Sequence, residues 1–126
     1  MNIALKIVIG LLALLFLFMG ASLLFDPASG VAQFGLQSTG VVGLSTLRGD
    51  LAGLFLASAV MLVLGLVRGN TTWLLAVAVL MSLIALGRLV GFVADGTDQA
   101  TVTAFVAELI IVAVLVLADR RLAKPT

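Results

Sequence analysis

The sequence predicts an all-α, polytopic membrane protein: a bundle of four transmembrane helices with both termini cytoplasmic. Three observations carry this. Of the 126 residues, 63% are hydrophobic and only 10% charged, where a soluble domain carries about 25% charged residues. A water-soluble chain this small has too little interior to hide that much apolar surface, so the solvent must be lipid. The apolar residues also fall into four long runs, each near the roughly 20 residues that span a bilayer core. Finally, most charges sit between those runs, and the few inside them stand out.

The first run covers residues 7–25, nineteen positions without a charge, headed by Lys6; the span is set at about 4–25. Its small residues Gly20, Ala21 and Ser22 offer a signal-peptide reading. A signal h-region, however, runs to only about 7–15 residues, so a true first span is expected. Asp26-Pro27 ends it, because proline disfavours helix at the residue before it.

Residues 27–46 lack charges after Asp26 but hold Gly30, Gly35, Gly40 and Gly43 with Gln33, Gln37, Ser38, Thr39 and Ser45. Such a segment makes a poor helix interior. It is expected to be an interfacial piece or loop, flexible enough to act as a cover.

The second span, about 47–67, opens on Arg48-Gly49-Asp50 and ends at Arg68-Gly69-Asn70. An adhesion-ligand reading of Arg-Gly-Asp fails here because the tripeptide opens an apolar helix. The third span, about 71–94, follows a tight turn and carries Trp73 at its start, where interfacial aromatics sit. Asp95-Gly96-Thr97-Asp98 forms the next turn. The fourth span covers about 100–118, and a polar tail follows from Asp119 to Lys124. No repeat or second domain is visible, so residues 1–126 read as one domain. Lys6, Arg68, Arg120, Arg121 and Lys124 fall on one side, while Asp26, Asp95 and Asp98 fall on the other. Short-loop Lys and Arg mark the cytoplasmic side.

Composition also excludes chemistry. Cysteine, histidine and tyrosine are absent. That removes disulfides, thiol chemistry, His- or Cys-held haem, the usual zinc and copper sites, and Ser–His or Cys–His nucleophile systems. No cofactor, metal or catalytic residue is expected, and the chain reads as a non-enzyme. A net charge of +1 gives no electrostatic case for nucleic acid.

Four charges remain to be explained: Arg48, Asp50, Arg88 and Glu108. Arg88 has at least sixteen uncharged residues before it and six after it. An arginine that deep in an apolar run is costly in lipid and usually faces protein or a watery cavity. Counted at 1.5 Å per residue, Arg88 lies about 9 Å and Glu108 roughly 10–12 Å below the outer ends of their spans. Arg48 and Asp50 lie near the same level, with hydroxyls from Ser22 and Thr101. The expectation is one outer-leaflet cluster. In it Arg88 pairs with Glu108, Asp50 takes the remaining donors of Arg88, and Arg48 snorkels outward. Gly49 with Gly53, and Gly87 with Gly91, have the four-residue spacing of close helix packing, so backbones are expected to approach there.

The stretches LRGDLAGLFLASAVMLVLG and ALGRLVGFVADG, with FDP after the first span, resemble the domain of unknown function 4345 (DUF4345) family of small four-helix bacterial membrane proteins. The resemblance covers nearly the whole chain. It implies four transmembrane helices in an inner membrane and carries over no reaction, substrate or catalytic residue.

Several functions compete. A non-enzymatic protein would bind a lipid or other amphipathic molecule, or a membrane partner such as a second copy, through the polar cluster. A proton- or ion-coupled transporter would use Glu108 and Asp50, though two acids beside two arginines do not favour a bare ion. A purely structural staple would only hold helices together.

Overall fold

The computed structural model describes residues 2–122, and among these there is no strand. In order they form α1 (Asn2–Phe25), α2 (Pro27–Ala32), α3 (Gly40–Thr46), a π turn (Leu47–Leu51), α4 (Ala52–Arg68), α5 (Thr72–Ala94) and α6 (Gln99–Leu122). Four stretches are long and apolar enough to cross a membrane: Asn2–Phe25, Gly40–Arg68, Thr72–Ala94 and Gln99–Leu122. The expected polar tail is helical as far as Leu122, and Ala123 and Lys124 lie outside the described residues.

Lipid as the solvent explains how the polar atoms are handled. Large apolar side chains face outward along the helices, among them Leu11, Leu14, Phe18, Val63, Leu83 and Ile110. Hydroxyls within the helices turn back onto their own backbone. Thr46 donates to the carbonyl of Val42, Ser58 to Leu54, Ser82 to Ala78 and Thr103 to Gln99. A hydroxyl with no water nearby takes the carbonyl four residues back. Among the described residues, no buried side-chain nitrogen or oxygen lacks a partner.

The chain divides into two compact units, Ile7–Val63 and Met1–Lys6 with Leu64–Thr126. In the first unit, Pro27 takes the opening position of α2, where its missing N–H costs nothing. Leu23, Val31, Leu47 and Ala52 form a buried apolar cluster, with Leu24, Leu51 and Phe55 packed on it. Phe55 also meets Phe16 and Phe34, each with ring centroids 5.9 Å apart. Gly20 is the point of close approach: a Cβ there would lie 2.7 Å from the side chain of Leu56.

The second membrane-length stretch begins seven residues earlier than the expected residue 47, because Gly40–Thr46 is helical and runs into the π turn. Glycine and β-branched residues argue for a loop by propensity. In lipid, backbone N–H and C=O groups must be satisfied internally, and that requirement outweighs the few tenths of a kcal/mol that propensity supplies. The resulting 29 residues extend about 43 Å, longer than a hydrocarbon core of roughly 30 Å. The π turn also sets facing. Leu47 and Ala52 are both buried although five residues apart, a separation that would put them about 140° apart on a regular α-helix.

In the second unit, α4 turns into α5 through Gly69, which has φ +62°, a left-handed conformation that glycine adopts without strain. A Cβ on Gly65 would come within 2.8 Å of Leu74, so the hairpin closes tightly only on glycine. After α5, Asp95 and then Gly96 at φ +93° end the helix. Helices α5 and α6 are antiparallel partners whose register is marked by three contacts. Phe92 meets Phe105 edge-on at 5.4 Å, Arg88 meets Glu108, and the Thr71 hydroxyl donates to Asp119 Oδ1 at 2.7 Å.

Candidate functional site

Spacing along α5 delivers Arg88 to α6. The buried residues Leu74, Val77, Ala78, Met81 and Ala85 define one helical stripe, and steps of three and four carry that stripe on to Arg88 and Phe92. On α6 the corresponding stripe runs from Ala118 and Leu115 toward Glu108 and Phe105. Arg88 Nε donates to both oxygens of Glu108, at 2.8 Å and 2.9 Å. The side chains are 31% and 12% exposed, respectively. The Phe92–Phe105 pair sits one turn nearer the connecting loop, so a wall of rings separates the ion pair from the Asp95–Asp98 turn on this seam.

The mode of pairing matters. A guanidinium can give a carboxylate two parallel bonds through its fork. Here a single N–H, on Nε, serves both carboxylate oxygens. Nη1 and Nη2 make no hydrogen bond to a described residue, and they are not sealed. Four N–H donors of a neutral pair are therefore left without a described partner, about 9 Å along α5 from its end.

Arg48 and Asp50, the other expected charges, belong to the first compact unit. Arg48 lies in the π turn, and its Nη1 donates to the carbonyl oxygen of Leu24 at 2.6 Å. Leu24 is next to last in α1, where carbonyls lack partners within the helix. Arg48 thus caps the C-terminal end of α1, a role the expectation of outward snorkelling missed. It also borders an open groove with Val41, Leu44, Ser45 and Gly49. Asp50 is exposed on the same turn. Ser22 lines a slot of about 10 Å³ with Gly30, Gln33 and Phe34, the volume of about one water.

Thr101 does not join Arg88. Its N–H and its hydroxyl both donate to Asp98 Oδ1, at 2.7 Å and 2.6 Å. Asp98 precedes the first residue of α6, so this is an N-cap. The two bonds, the hydroxyl's first, hold the Asp98 carboxyl below the usual carboxylate range.

The expected glycine contacts also move. Nothing lies within 4 Å of a Cβ built on Gly49, Gly53 or Gly87, and on Gly91 only Asp95 Oδ2 does, at 4.0 Å. Gly20 and Gly65 make the close approaches instead. The four-residue spacing shows which glycines share a face, but not whether that face meets protein or lipid.

A small, apolar, helical chain with four membrane-length helices and an ion pair between two of them, Arg88 with Glu108, is a multi-pass membrane protein in class. The family described as Domain of unknown function (DUF4345) matches residues 4–118. The chain belongs to that family. No curated protein and no solved structure matches it.

Proposed function

We propose that this is a non-enzymatic membrane protein that binds the polar head of a lipid or other amphipathic molecule at Arg88. The carrying observation is the one-sided pairing of that arginine. Nε is committed to Glu108, while Nη1 and Nη2 make no bond to a described residue and the side chain is 31% exposed. An arginine at the centre of a span costs about 2.5–3.5 kcal/mol to insert, and one about 9 Å from the end of α5 costs part of that. Polar contacts between membrane helices return only about 0.6 kcal/mol on average. Stapling α5 to α6 is therefore a weak return for placing the pair there. Donors without a described partner suit a head with oxygen acceptors, such as a carbonyl, carboxylate or phosphate. Glu108 cancels the guanidinium's charge, which favours a polar head over a bare anion. The absence of histidine, cysteine and tyrosine supports binding over catalysis.

In this reading both termini face the cytoplasm across a plasma (inner) membrane, as the distribution of Lys6, Arg68, Arg120 and Arg121 favours. Reporter fusions at Thr97 and Thr126 should then mark opposite sides, and the same side for both rejects the orientation.

The test of binding is mass spectrometry of protein extracted in mild detergent. Wild type should carry an amphipathic molecule that Arg88→Ala loses and Arg88→Lys retains in part, with helix content unchanged in all three. Equal retention by Arg88→Ala rejects the site. Proton-driven flux in liposomes that depends on Glu108 and Asp50 would instead establish a transporter.

A further inference from the structure

We propose that the opposite, basic end of α5 and α6 holds the phosphate-bearing head of an anionic lipid, on residues separate from Arg88 and Glu108. The place is a cavity of about 150 Å³ bordered by Asn2, Lys6, Gly65, Gly69, Thr71 and Leu74. At about 10–15 Å³ per water by this measure, it has room for a phosphate and part of its ester. All of these residues belong to the one unit formed by Met1–Lys6 and Leu64–Thr126.

The donors are arranged by helical spacing. Asn2 and Lys6 are four apart on α1 and so share a face. Lys6 makes no ion pair or hydrogen bond with a described residue. Asp119 accepts the hydroxyl of Thr71, a lining residue, at 2.7 Å, which holds that carboxylate at the start of α5. Gly65 and Gly69 add no side chain to the space. Lys6 lines the cavity, and Arg68 and Arg120 lie in sequence near its lining residues Gly69 and Leu122, with Asp119 the acidic residue there among the described residues. Basic pockets between membrane helices on the cytoplasmic side take anionic heads.

A lipid suits the site better than free phosphate because its surroundings are apolar. Ile3 and Val67, each beside a lining residue, are 73% and 78% exposed. They offer acyl chains an exposed apolar surface at this end of the unit.

The experiment compares thermal stability of the full chain in nanodiscs of phosphatidylcholine alone and of phosphatidylcholine with phosphatidylglycerol. Wild type should be stabilised by phosphatidylglycerol. Lys6→Gln should weaken apparent lipid affinity roughly fivefold, as expected for one basic residue at an anionic surface. Lys6→Arg should retain the affinity, and Asn2→Leu should lose part of it. Two results overturn the proposal. An equal shift from inorganic phosphate in phosphatidylcholine assigns the cavity to a free anion. A Lys6→Gln loss that is the same in both lipids makes Lys6 a local stabilising group only.

Discussion

Each compact unit places an arginine among apolar residues, and the two are satisfied differently. Arg88 meets a carboxylate, Glu108, and the pair is neutral. Arg48 meets a main-chain carbonyl, that of Leu24, and keeps its full charge. A carbonyl at a helix C-terminus carries only a fractional negative charge, so it can orient an arginine but cannot neutralise it. Arg48 accordingly is exposed beside an open groove, while Arg88 sits within α5 with less than a third of its side chain exposed. Exposure thus follows what cancels the charge: a hydrogen bond alone accompanies the exposed Arg48, and a counter-ion accompanies the partly buried Arg88.

The sharpest way to break this comparison is to remove one counter-ion. Glu108→Leu leaves Arg88 charged and unpaired within α5, and should destabilise the protein by on the order of 2 kcal/mol. Arg88→Leu strands Glu108 and should cost a similar amount. The double variant replaces both charges with apolar groups and should cost less than either single change. Reversible unfolding in mixed micelles measures the cycle. Independent, additive losses would show that the two side chains do not act as a pair.

The units also share a device that the sequence hid. Each has a glycine on which a Cβ would come within 3.0 Å of a leucine: Gly20 on Leu56 and Gly65 on Leu74. Leu74 is 1% exposed and has little room to move, so Gly65→Ala should overpack the α4–α5 hairpin by about 1–2 kcal/mol. Gly87→Ala meets open space and should be neutral or stabilising by up to about 1 kcal/mol, from helix propensity alone. Thermal melts of the two variants should therefore move in opposite directions. Equal losses at both sites would show that the close approach at Gly65 is not what matters.

These two cases show what was legible. Four apolar stretches and two turns can be read directly because hydropathy and charge placement report lipid contact. The Arg88–Glu108 pair is legible because two lone charges at similar depth on adjacent antiparallel helices have little else to meet. Helix α3 is not legible, since propensity scales describe helices in water, where an open backbone can still be solvated. Nor is the Arg48–Leu24 bond, because every residue offers a carbonyl and no side-chain pattern marks which one is used. The π turn that aims Arg48 at it has no composition of its own; Leu47–Leu51 reads as ordinary helix. Gly20 escapes because it has no partner glycine four residues away, and Gly65 because its partner, Gly69, reads as part of the turn.

The smallest expected effect tests the comparison from its watery side. Asp98 and Arg48 both cap helix ends, but Asp98 is fully exposed in the α5–α6 turn, where solvent screens its charge. Its carboxylate accepts the Thr101 hydroxyl and N–H, and both bonds favour the ionised form, so its folded pKa lies below its unfolded one. A group depressed in this way stabilises the fold above its unfolded value, near 3.9. It loses that contribution as pH falls through the lower folded value. Asp98→Ala should therefore melt slightly below wild type at neutral pH, and the gap should close under acid. Asp98→Asn keeps a side-chain oxygen able to accept the Thr101 N–H, and should recover part of the loss with no dependence on pH in this range. Melting curves for the three proteins from pH 7 to pH 3 decide it. A gap that persists unchanged into acid would mean that the ionised carboxylate is not what caps α6.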